Sequence, residues 1–142
     1  MSMTYDPSKV IMTYGPIPLF DFGEGTFITC EADQDDYRAE RGADGAVDFI
    51  RNIGRTFTVT AQVLQTSKVN DLLSAMRVSD FTANTGTWPL LIKTLQGVDL
   101  QVFPQARIIA PPTVTYGSTT ANREWRFKCI NGDMFVGGNL FN

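Results

Sequence analysis

Residues Arg55 to Leu64 read RTFTVTAQVL, and their alternation decides the fold class. Phe57, Val59, Ala61 and Val63 fall on one side of an extended chain, and Thr56, Thr58, Thr60 and Gln62 on the other. A period of two is the mark of a strand with one face in a core and one outside it. The run from Arg123 to Ile130 repeats the pattern, with Trp125, Phe127 and Cys129 set against Glu124, Arg126 and Lys128. Between these two runs, only Lys68 to Val78 has helical spacing. Its Val69, Leu72, Leu73 and Met76 recur at i, i+3, i+4 and i+7. Ser67 or Thr66 is the expected N-cap, and Asp71 early with Arg77 late suits the helix dipole. The apolar helix face is expected to sit on the strands and the charged face to look outward.

Shorter strands are expected at Val10 to Tyr14, Ile17 to Phe20, Thr26 to Cys30, Trp88 to Lys93, Val98 to Phe103, Arg107 to Ala110, Thr113 to Tyr116 and Met134 to Val136. Pro104 is expected to break one of them, because proline cannot donate to a ladder. Asn131-Gly132 is a tight-turn signal. The sum is a mainly β chain, a β-sandwich or barrel with one flanking α-helix. A length of 142 residues fits one domain spanning 1–142, with an N-terminal arm (1–9) and a C-terminal tail (139–142).

One stretch does not belong to that core. Residues 31–51, EADQDDYRAERGADGAVDFIR, form a polar insertion between two strands. From Asp33 to Arg51 it holds six acids and only Arg38, Arg41 and Arg51 as bases, so the whole formal charge of −3 resides here. Tyr37 to Arg41 and Ala46 to Arg51 are expected to pair as a projecting hairpin or loop around Gly42-Ala43-Asp44-Gly45, whose residues tolerate positive φ. Long loops in compact domains are usually functional or disordered. Tyr37, Val47, Phe49 and Ile50 give this one apolar surface to bury, which points to assembly rather than chemistry.

Composition removes other classes. The chain has no histidine, so His-based triads and His metal sites are excluded. Cys30 and Cys129 lack metal-ligand spacing and read as reduced, packed thiols. An EF-hand counted from Asp33 would put Arg38 where glycine is needed and Asp44 where a bidentate glutamate is needed. Neither Gly23-Glu24-Gly25 nor Gly137-Gly138 has phosphate-loop spacing. With no basic stripe and a pI near 4.8, tight binding to the outside of nucleic acid is not expected. No apolar run approaches the roughly 20 residues that span a bilayer. The N-terminus lacks signal-peptide character, which argues for a chain made and kept in the cytoplasm. No enzyme, cofactor, metal or membrane contact is expected.

Six short motifs then appear in order: Tyr5-Asp6-Pro7; Phe22 to Thr26 (FGEGT); Gly42-Ala43-Asp44-Gly45; Leu64-Gln65-Thr66-Ser67 with Asn70-Asp71; Trp88 to Lys93 (WPLLIK); and Arg123-Glu124-Trp125. Together they resemble the tail tube proteins of contractile-tailed bacteriophages, which are similar to the tube ring protein of type VI secretion systems. The resemblance implies a virion structural protein assembled in the bacterial host cytoplasm. Its subunits would form hexameric rings that stack into a tube inside a sheath, meet baseplate and tail-terminator proteins, and pass double-stranded DNA without binding it tightly. On that basis Tyr37, Phe49 and Ile50 are expected as apolar anchors on a neighbouring subunit, with Arg38, Arg41 and Arg51 as partners for its acids. Thr56, Thr58, Thr60 and Gln62, with Thr29 and Glu31, are expected to line the lumen with small neutral and acidic groups. Two other readings stand beside this one. The first is a soluble β-sandwich binding module whose insertion is the recognition loop; the second is a baseplate or secretion-system ring subunit.

Overall fold

The computed structural model describes residues 6–23, 25–84 and 87–137. Strand β1 (Val10–Tyr14) turns at Gly15, φ +57°, into the two-residue β2 (Ile17–Pro18). Then follow β3 (Ile28–Ala32), the insertion strands β4 (Tyr37–Arg41) and β5 (Val47–Arg51), β6 (Thr56–Val63) and the helix α1 (Val69–Ala83). The chain returns to strands with β7 (Trp88–Thr94), β8 (Leu100–Ala110), β9 (Arg123–Ile130) and β10 (Asp133–Phe135). The main sheet runs β2-β1-β7-β8-β9-β6-β3, with β10 beside the start of β8, while β4 and β5 pair only with each other. Every pairing among these strands is antiparallel.

The two long alternating runs, β6 and β9, are direct neighbours: Val59 stands opposite Phe127 and Ala61 opposite Trp125. Their inward side chains are buried, as are Met12, Tyr14, Leu90, Phe103 and Ala106. The rings of Tyr14 and Phe127 lie 4.9 Å apart although two strands separate β1 from β9 in the sheet. The sheet therefore folds over, so that its inner faces meet as a sandwich. Phe57 of β6 and Phe103 of β8, with β9 between their strands, have ring centroids 5.0 Å apart. Burial of this apolar surface is the main force holding the halves together.

Proline does not end β8. The strand continues through Pro104, but its register with β7 slips between Trp88 and Leu90, and a second slip opposite β9 falls between Ile108 and Ala110. Pro104 and Gln105 are both exposed and inward residues resume at Ala106, so the extra residue restores the phase of the core face. The separate strand expected from Arg107 is thus the far half of β8. Thr113 to Tyr116, expected as a strand, runs without regular structure. The strand expected from Thr26 begins instead at Ile28 and reaches Ala32.

The helix is longer than its sequence period suggests, running to Ala83 and ending at Asn84 in the left-handed region, φ +56°. Ser79 to Ala83, beyond the expected end at Val78, forms its last turn. The N-cap position falls at Lys68 and not at the expected Ser67 or Thr66, and no side chain caps it there; one residue earlier, Ser67 Oγ accepts from Val69 N at 3.2 Å. Val69 and Leu73 are fully buried, and Met76 is half-buried against the core. Leu72 is exposed, and the outer side carries Val78 and an 86% exposed Phe81 rather than charge alone. Asn70 holds the helix start to the body. Its Nδ2 donates to Leu64 O at 2.9 Å, and its Oδ1 accepts from Trp125 Nε1 at 2.9 Å.

The N-terminal arm is fastened from Asp6 onward: Asp6 N donates to Gln96 Oε1 at 2.7 Å, and Pro7–Lys9 makes one 3₁₀ turn. The first five residues of that arm and the expected tail (139–142) lie outside the described residues.

Candidate assembly interfaces

The insertion folds as the expected hairpin. Gly42 N donates to Ala46 O at 2.7 Å, and Gly45 takes the positive φ, +90°. Ala46 N donates to Asp44 Oδ1 at 3.1 Å, a local bond of the kind that favours Asp in turns. The two legs are joined at the base by Asn52, whose N donates to Asp36 O at 2.8 Å and whose Nδ2 donates to Asp35 O at 2.5 Å. Gln34 Nε2 donates to Gly54 O on the same side. Above that base all of β4 is exposed, as is all of β5 except the half-buried Ile50.

Register divides the six expected contact residues between two faces. Tyr37 pairs with Arg51, Ala39 with Phe49 and Arg41 with Val47, and directly opposed residues share a face. Tyr37, Phe49, Arg41 and Arg51 therefore lie together, joined by Val47. Arg38 and Ile50 lie on the reverse, beside the opposed acids Glu40 and Asp48. The first face is an apolar row, with Tyr37 59% and Phe49 77% exposed, bounded by an arginine at each end. No acid within the described residues forms an ion pair with Arg38, Arg41 or Arg51. By contrast Arg55, Arg107, Arg126 and Lys128 each have one.

The six residues expected to line a lumen come together on the outer face of β3 and β6. Thr29 stands opposite Thr60 and Glu31 opposite Thr58, with Thr56 and Gln62 at the two ends of the row. Sheet pairing adds residues that the sequence did not bring there. Lys128 stands opposite Thr58, Arg126 opposite Thr60 and Glu124 opposite Gln62. The face is therefore not free of bases, as small neutral and acidic side chains alone would have made it. Each base is paired: Lys128 with Asp33, and Arg126 with Glu124 at 3.3 Å.

Asp33 joins the hairpin to this face. Its Oδ1 accepts from Thr58 Oγ1 at 2.7 Å and its Oδ2 from Thr56 Oγ1 at 2.8 Å, while Lys128 Nζ meets Oδ2. These partners, Lys128 first, hold its carboxyl down to about 2 against the burial that would raise it. The sequence reading assigned Asp33 no such role. The signal was present in the alternation of Glu124, Arg126 and Lys128, but it becomes legible only once β9 is known to lie beside β6.

Among the described residues no three His, Cys, Asp or Glu side chains converge as metal ligands. Cys30 and Cys129 are free thiols, pushed up by burial to about 11 and about 12.

Comparison with known proteins agrees with this architecture. Over 144 aligned residues the chain is 26% identical to "Structural protein ORF10" of Pseudomonas phage KPP10, covering 96% of this chain and 83% of that one. Its fold is similar to a chain of the native gene transfer agent virion, with TM-score 0.59 at 9% identity, covering 94% and 100% of the two chains. It is also similar to a chain of the sheath-tube complex of an extracellular contractile injection system, with TM-score 0.58 at 11% identity over 94% and 92%. The sequence pattern of the Bacteriophage PhiTE tail tube protein family matches residues 21–137, most of the chain, and the protein belongs to that structural family.

Proposed function

We propose that this tail tube protein is the repeating subunit of hexameric rings that stack into a hollow tube through which double-stranded DNA leaves the virion. Residues 1–142 act as one tube domain, assembled in the host cytoplasm. The observation that carries the reading is the hairpin, which leaves the sandwich with an apolar row and three arginines that have no ion-pair partner among the described residues of their own subunit. Such a surface is costly to leave in water and ready to meet another copy. Head-to-tail contacts of this kind close into rings when the rotation allows, and the margin of β3, which pairs with no strand among the described residues, gains a cover in the process.

In this assembly Thr29, Glu31, Thr56, Thr58, Thr60 and Gln62 face the lumen. Unpaired bases there would bind phosphate and release counterions. Arg126 and Lys128 are held by acids of the same face, so DNA meets a wall whose charges are already balanced. The outward Val78 and Phe81 side of α1 is offered to the sheath, and the two ends of the tube to terminator and baseplate proteins.

Negative-stain electron microscopy of the purified full chain at high concentration tests the reading. Rings or tubes are expected from the wild type. Deletion of 39–46 is expected to leave a folded chain that makes neither. Normal tubes from the deletion would remove the hairpin from the interface.

A further inference from the structure

The core is closed around most of its circumference but not at one place. Between the inner sides of β3 and of β1, β8 and β10 an open groove of about 640 Å³ remains, lined by Pro7, Val10, Ile28, Cys30, Gln101 and Met134 among others. Ile28 and Cys30 stand opposite Ala61 and Val59 of the buried face, so both turn inward, yet they are only half-buried. No charged side chain lines the groove among the described residues. Gln101 is 8% exposed; its Nε2 donates to Phe135 O at 3.4 Å, and no donor among the described residues meets its Oε1. Buried polar groups are normally paired, so whatever fills the groove has a donor to bring to that oxygen.

We infer that this groove is the seat of the chain's own residues Met1 to Tyr5, which close the gap in the core of the same subunit. Three observations select that occupant. The first is where the segment starts. Pro7 lines the groove, and Asp6 before it is extended, φ −118° and ψ 106°, with its N tied to Gln96 Oε1 at 2.7 Å. Residue 5 therefore joins the described chain at the groove's mouth and has no span to cross. The second is pattern. Met1, Met3 and Tyr5 alternate with Ser2 and Thr4, so an extended chain turns three apolar side chains to one side. None of the five side chains is charged, which matches the lining, and methionine adapts to irregular gaps. The third is the Gln101 oxygen, which a backbone N–H of an extended segment satisfies. The other end of the described chain is held on the β7–β8 connection, where Gly137 N donates to Asp99 Oδ1 at 2.6 Å. Beyond it Leu140 and Phe141 are adjacent, so an extended chain sends only one of them to a given side. The seat is on the inner side of β3, so the margin of that strand stays open to a neighbouring copy, and this placement is independent of the ring reading.

Cys30 lies in the groove and reports on its occupant. In the dilute full-length protein, bimane labelling of Cys30 is measured at one fixed pH for the wild type, for a deletion of residues 2–5, for Met3→Lys and for Thr4→Lys. Uncovering the groove by the deletion, or forcing a charge into it by Met3→Lys, is expected to raise the rate about tenfold, while Thr4→Lys, on the polar side, leaves it near the wild-type rate. Cys129, which is fully buried, stays unlabelled in every folded variant and marks any that has unfolded. A second measurement keeps the segment in place. Met3→benzoylphenylalanine, irradiated in a mixture of isotope-labelled and unlabelled chains, is expected to give adducts within one chain that mass spectrometry maps to Ile28, Cys30 or Met134. Equal Cys30 rates in all of these proteins overturn the inference, as does an equal effect of Met3→Lys and Thr4→Lys. Adducts that join labelled to unlabelled chains overturn it too, by giving the groove to a second copy, as do adducts outside the groove or none at all. If a Phe141→benzoylphenylalanine probe marks those residues and the Met3 probe does not, the seat belongs to the other end of the chain and the inference falls.

Discussion

Replacing Asp33 by Asn probes the joint between hairpin and sheet, and its effect should depend on pH in a defined direction. In the folded protein the carboxyl is lowered from 3.8 to about 2, chiefly by Lys128 and then by Thr58 and Thr56. At roughly 1.36 kcal/mol per unit the full shift would be about 2.4 kcal/mol. Lys128 is 40% exposed, and solvent-exposed pairs are screened to about 0–1 kcal/mol, so about 1 kcal/mol is the reasonable expectation. Because the folded value is the lower one, this stability is fully present above the unfolded value near 4. It is lost as pH falls through the folded value near 2. Urea unfolding of wild type and Asp33→Asn, run at pH 7, 5 and 3, measures it. The difference should be about 1 kcal/mol at pH 7 and 5 and at least about halved at pH 3. A difference that is absent at pH 7, or equally large at pH 3, would refute the reasoning, as would an undiminished effect in a Lys128→Met background.

Four further outcomes are expected. Asn70→Ala removes the acceptor of Trp125 Nε1 and the donor to Leu64 O, and should cost about 2 kcal/mol in urea unfolding, in the range for unsatisfied buried groups. Gly132→Ala would bring a Cβ within 2.6 Å of Val102 O and into the Phe103 ring, so the β9–β10 turn must shift; a lowered Tm beyond that of a surface control such as Ala43→Ser checks it. Cys30, with its thiol near 11, should react slowly with iodoacetamide at pH 8 and much faster as pH approaches 11, while Cys129 should stay unmodified until the chain unfolds. Thr58→Cys should be labelled by a bulky maleimide in the monomer and protected in assembled tubes, and equal labelling in both would move this face out of the lumen.

Much of the secondary structure was legible because it is local. Alternation of Phe57, Val59, Ala61 and Val63 against threonines follows from the pleat of a single strand, and the helix from the spacing of Val69 and Leu73. The hairpin was readable for the same reason, from Gly42 to Gly45 between two polar runs. The misreadings came where distant residues override such signals. Pro104 reads as a break, yet the strand continues because a bulge lets Ala106 regain the core beside Trp88. Leu72 sits on the apolar stripe of the helix, yet only Val69 and Leu73 are completely buried.

By itself, then, the sequence determined the alternating strands, the one helix and the projecting acidic insertion, since each depends on neighbours a few residues away. Only the tertiary structure decided which strands lie side by side, and with that the chemistry of each face. Pairing β6 with β9 set Lys128 and Arg126 among the threonines and brought Asp33 to Lys128. Pairing β4 with β5 in one register, and not in one slipped by a residue, sorted Tyr37 and Phe49 onto the face opposite Ile50. Periodicity tells which side of a strand is apolar; the strand's neighbour is chosen by the whole core closing at once.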